Sequence, residues 1–156
     1  MRASLRYSLI AGALLIAGAI STTSIAFAED DNPTPDNVAN PDYMKVKAEV
    51  DGGDYQTALT KLMALDKETP NDPDILNLIG FSLRKTGHPD QALDYYNRAL
   101  AQNPEHLGAN EYLGELYLEL KQPAKAEERL AVLEKACGDC EEYQELKEKI
   151  GQQAAN

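Results

Sequence analysis

Past residue 40 the sequence has a single serine, Ser82, and the whole chain has only two histidines, His88 and His106, and two cysteines, Cys137 and Cys140. A Ser-His-Asp hydrolase needs its three groups within hydrogen-bond reach of one another. Here Ser82 sits inside a helical pattern between Phe81 and Leu83, and the histidines fall in different turns, which excludes that chemistry. No glycine-rich phosphate loop or Walker sequence occurs, so nucleotide binding has no support. No D-x-D-x-D-G spacing occurs, so neither does a calcium loop. Bases are scarce as well: 15 Lys and Arg face 26 Asp and Glu, for a formal charge of −11. Such a balance repels the phosphates of nucleic acid and of anionic headgroups. The sequence therefore points to no enzyme, no cofactor, no metal ligand set and no nucleic-acid partner.

The first 28 residues have the form of a secretory signal. Arg2 and Arg6 make a positive start, an uncharged stretch runs from Tyr7 to Ala28, and Ala26-Phe27-Ala28 gives the small-x-small cleavage pattern. Cleavage before Glu29 is expected, leaving no membrane insertion and a periplasmic chain. It removes two bases and no acid, which deepens the charge from −11 to −13. The alternative is an uncleaved anchor, since about 20 apolar residues cross a bilayer. Either way the rest lies outside the inner membrane. Residues 29–40 (EDDNPTPDNVAN) carry one sizeable apolar side chain, Val38, and form a flexible acidic leader.

Beyond the leader the chain repeats with a step of 34 residues. Ala58, Ala92 and Ala126 keep it, as do Gly53 and Gly87, Pro70 and Pro104, Gly80 and Gly114, and the series Leu62, Tyr96, Leu130. Within each unit the signals are helical. Asn40-Pro41-Asp42 and Asp72-Pro73-Asp74 join a cap residue, a proline at the first helical position and an acid in the first turn. His88-Pro89 and Gln122-Pro123 begin helices with weaker caps. Helices are predicted at 41–51, 55–68, 73–86, 89–102, 107–120, 123–136 and 140–152. The last is entered through a capping box led by Asp139, and its single stripe of Tyr143, Leu146 and Ile150 suits a terminal cap.

With these residues in view the chain resembles the tetratricopeptide repeat (TPR) family. Residues 73–106 match best, through Gly80 and Ala92 as the small residues of close helix approach, Tyr96 as the aromatic and Pro104 as the terminal proline. The resemblance implies an all-α solenoid of about three helix pairs (about 41–72, 73–106 and 107–138) with a capping helix at 140–152. Tyr96 and Tyr117 are expected to be packing residues. The resemblance also implies a non-catalytic interaction module whose first helices line a concave groove for a peptide or partner protein. The residues expected on that groove are Tyr43, Lys47, Asn77, Phe81, Arg84, Lys85, Glu111, Glu115 and Leu118. Phe81 and Arg84 are its expected anchors, because interface energy concentrates on aromatic and arginine side chains.

Cys137-Gly138-Asp139-Cys140 is the one chemically pointed motif. In an oxidising compartment two lone cysteines pair, and a disulfide is expected. A redox C-x-x-C is opposed by Asp139, Glu141 and Glu142 beside it. A metal site would need two ligands beyond the thiolates, and His106 offers one. The alternative function, a thiol-redox or metal-handling accessory protein, rests on this pair.

Overall fold

The structure is a computed structural model and describes residues 40–155. The expected signal segment 1–28, and the leader as far as Ala39, lie outside the described residues. Among the described residues there are seven helices and no strand: α1 (Pro41–Asp51), α2 (Tyr55–Glu68), α3 (Pro73–Lys85), α4 (Pro89–Gln102), α5 (Leu107–Glu119), α6 (Pro123–Ala136) and α7 (Glu141–Ala154). The helices form the pairs α1–α2, α3–α4 and α5–α6, and α7 packs on both α5 and α6.

The helix starts follow from their caps. Asn40 Oδ1 accepts from the Asp42 and Tyr43 amides at 3.0 and 3.2 Å, and Asp72 Oδ1 accepts from Asp74 and Ile75 at 3.0 and 3.1 Å. Each satisfies two amides that the helix itself leaves open. His88 and Gln122 make no side-chain cap bond. At α5 a histidine caps: His106 Nδ1 accepts from the Ala109 amide at 3.1 Å. The capping box expected at Asp139 does not form. The N-cap of α7 is Cys140, without a side-chain cap bond, and the Asp139 carboxylate instead accepts from Gln144. Asp139 stands one residue too early to reach the open amides of the first turn.

The first helix of every pair ends in the same way. After α3, the Gly87 amide bonds Arg84 O at 3.1 Å and the His88 amide bonds Leu83 O at 2.9 Å. The pattern recurs at Gly53–Asp54 and at Lys121–Gln122. This double closure requires a left-handed residue, and φ is 83° at Gly53, 84° at Gly87 and 59° at Lys121.

Packing between and within the pairs depends on small residues. A Cβ on Gly80 would lie 2.7 Å from Cε1 of Tyr96, so α3 and α4 meet with the fully buried Tyr96 ring against bare backbone. A Cβ on Gly114 would lie 2.5 Å from Cδ2 of Leu146, so α7 is seated by a leucine in a notch of α5. Leu146 is fully buried with Leu118, Ala126 and Leu133 in one apolar cluster, while the main cluster runs from Tyr43 to Leu116. Of the two expected packing tyrosines, Tyr96 is at the centre of the core and Tyr117 is half-buried at its edge.

Candidate functional site: a cleft along the first helices

A cavity of about 910 Å³ runs along α1, α3, α5 and α7. The repeat explains its floor. Tyr43, Asn77, Glu111 and Glu145 stand 34 residues apart in the sequence, one on each of these helices, and all four line the cavity. A fixed step in a helical solenoid puts equivalent side chains into a row. The row changes character along its length, from a phenol through an amide to two carboxylates.

An aromatic shelf crosses from Tyr55 on α2 through Phe81 on α3 to Tyr112 on α5. The rings of Tyr55 and Phe81 meet edge-on with centroids 5.8 Å apart, and Phe81 and Tyr112 meet tilted at 4.6 Å. Phe81 is half-buried. All three rings are partly exposed and pack on one another. At the carboxylate end Glu105, Glu111, Glu141, Glu142 and Glu145 all line the cavity. Burial pushes the Glu111 carboxyl up to about 8, with the hydrogen bond to and charge of Glu145 adding to it, Lys149 opposing and Glu142 adding a little. Lys149 is itself pulled down, first by burial and then by Arg84 and Lys85, while Glu111 holds it up.

Five of the nine residues expected on the groove line it: Tyr43, Lys47, Asn77, Phe81 and Glu111. The other four stand elsewhere. Arg84 is an internal cation, its side chain 3% exposed, paired with Glu115 and, at 3.0 Å, with Glu119. Glu115 is buried and also receives Lys149 from α7. These groups hold α3, α5 and α7 together and are committed to one another. Leu118 is buried in the cluster that seats α7. Lys85 is exposed, with its ammonium 5.1 Å from the Phe81 ring centroid. The sequence reading missed Tyr55, Leu78, Tyr112 and Glu145. The 34-residue step carries Glu111 to Glu145, and that signal was in the sequence.

Glu111, Glu115 and Glu145 bring one carboxylate oxygen each within 4.8 Å of one another, the only such trio of candidate metal ligands among the described residues. Lys149 already stands on Glu115 and on Glu145, and Arg84 on Glu115, so protein cations fill the role a metal would take there. Ser82 is fully buried in α3. Cys137 and Cys140 have Cα atoms 5.7 Å apart, a separation that a disulfide spans.

Helix pairs stacked at a constant step, with an open cleft along the first helix of each, define a helical-repeat solenoid. Residues 83–150 match the family model described as tetratricopeptide repeat, and the fold is of the tetratricopeptide-repeat type. No curated protein matches it. Among solved structures, it is similar to the Sgt2 TPR domain from Aspergillus fumigatus, with a TM-score of 0.66 and 17% identity over 79% of this chain and 82% of that one. The type III secretion chaperone SycD of Yersinia enterocolitica, in complex with a peptide of the translocator YopD, aligns with a TM-score of 0.62 and 18% identity over 73% of this chain and 87% of that one. The CopN-Scc3 complex contains a chain that aligns with a TM-score of 0.57 and 20% identity over 87% of this chain and 81% of that one.

Proposed function

We propose that the chain is a non-catalytic periplasmic interaction module that holds a peptide or partner protein in the cleft along α1, α3, α5 and α7. The observation that carries this reading is the half-exposed aromatic shelf of Tyr55, Phe81 and Tyr112 opening into that cleft. Large rigid apolar groups beside polar ones are what interface anchors consist of. Two of the fold's neighbours, a chaperone with a translocator peptide and the CopN-Scc3 complex, are structures of assemblies and support an interaction role. Residues 1–28 would direct export, and Cys137 and Cys140 would close to a disulfide in that compartment.

A photo-crosslinking residue placed at Tyr112 should trap a partner in cells. The same residue at Met63, exposed and away from the cleft, should trap none. Equal trapping at the two positions would move the binding surface out of the cleft. The exported form should have the intact mass of a chain beginning at Glu29 with one disulfide.

A further inference from the structure

The cleft's charge is one-sided. Among its lining residues Lys47 is matched by Asp51 at 3.2 Å and His106 by Asp74 at 3.0 Å. The lining also carries five glutamates and, among the described residues, no further base. Lys149, from outside the lining, reaches one of them, Glu145, at 3.5 Å. Among the described residues, two buried acceptors in the central row receive no hydrogen bond apart from the Glu145 carboxyl beside Glu111: Asn77 Oδ1 and Glu111 Oε1, on residues 6% and 3% exposed. They sit at the same repeat position on neighbouring first helices. Asn77 is also pressed close to the α5 backbone, since a Cβ on Gly108 would lie 3.0 Å from its Nδ2. Buried acceptors of this kind call for donors.

Resting on the cleft-binding reading above, we propose that the occupant is a cationic segment of a partner protein, with a large apolar side chain at one end and lysine or arginine at the other. The apolar group would rest on the Phe81 shelf, a backbone amide would donate to Asn77, and the cationic end would meet Glu111 and Glu145. The four helices that line the cleft, α1, α3, α5 and α7, at about 9 Å apart span about 27 Å, the length of roughly eight extended residues. The chain's own leader does not fit: residues 29–40 contain four acids and no base. A second copy is opposed by a net charge of −11 on each chain.

The test is selection from a displayed library of random decapeptides by the full chain. Selected sequences should be enriched in Lys or Arg, with an aromatic or aliphatic residue some three to five positions away, the separation that about 9–18 Å of extended chain provides. Enrichment in Asp or Glu, or no enrichment at all, overturns the proposal. Glu111→Gln with Glu145→Gln should remove the cationic preference and weaken a selected peptide about tenfold, as for loss of close charge pairs at an interface. Unchanged affinity, with the helical circular dichroism intact, would overturn it. Phe81→Ala separates the two readings. If it abolishes selection while the double Gln variant changes nothing, the cleft reading stands and the charge assignment falls. If selection ignores Phe81→Ala as well, both fall.

Discussion

At the residue scale, two positions depart from what stability alone would choose. Lys121 holds φ 59° at the turn where the two earlier units place Gly53 and Gly87. A side chain in the left-handed region costs about 1 kcal/mol relative to glycine. Lys121→Gly should raise unfolding free energy by about that much in urea titration, and a decrease would mean that contacts of the lysine side chain outweigh the backbone cost. Glu111 is the second. Its folded-state carboxyl lies near 8 against an ordinary 4.5, so the native chain holds a proton that the unfolded chain releases in between. Stability from this group is therefore fully present below about 4.5 and falls as pH rises towards about 8. The groups that face it are Glu145, Glu142 and Lys149 on α7, with Glu115 on its own helix. Glu111→Gln keeps the shape and removes the titration. The variant should melt higher than the parent at pH 8.5 and alongside it at pH 4, and parallel melting at both values would show that Glu111 does not titrate late. A carboxyl whose burial costs stability at neutral pH is understandable where a ligand cation displaces its proton.

At the scale of elements, the helices were legible because each beginning carries its own signal. Asn40, Asp72 and the prolines after them fix the starts, and the 34-residue step fixes the pairing. Arg84 was less legible. Helical periodicity puts it on a face apart from Leu76, Ile79 and Leu83, but it does not say that Glu115 and Glu119, a unit further on, reach back to cover that face. The same is true of α7. Its single apolar stripe marks a cap, yet the cap also extends the cleft with Glu141, Glu142 and Glu145. The seating of α7 can be measured. Leu146 fills the notch above Gly114, so Leu146→Ala should destabilise by about 3 kcal/mol through the cavity it leaves. Gly114→Ala should destabilise by about 1–3 kcal/mol through overlap with the leucine. Combined, the two losses should not add, because the smaller side chain admits the new methyl. Additive losses by thermal or urea denaturation would place Leu146 elsewhere. Gly80→Ala meets a rigid ring in place of a flexible leucine, with 2.7 Å to Tyr96 Cε1, and should be as costly with little room to relax.

At the scale of the whole molecule the governing quantity is charge. A chain of formal charge −11 repels itself, and each unit of a solenoid contacts only its neighbours, so long-range repulsion is not offset by a large common core. Added salt screens exposed charges beyond a Debye length of about 10 Å at 0.1 M and about 3 Å at 1 M. The buried Arg84–Glu115 pair is shielded from that screening by its burial. Raising sodium chloride from about 0.05 to 0.5 M should therefore raise the melting temperature, because the repulsive part weakens and the internal pair does not. Ligand binding should respond in the opposite sense. A cationic peptide selected by the cleft is drawn by its glutamates, and its association should slow as the same salt is added, with dissociation changing less. Stopped-flow binding and thermal melts over one salt series would measure both. A melting temperature that falls with salt would mean that surface ion pairs such as Lys61–Glu49 and Arg98–Asp66 outweigh self-repulsion. Association that is indifferent to salt would mean that the aromatic shelf, and not the acidic end of the row, decides what enters the cleft.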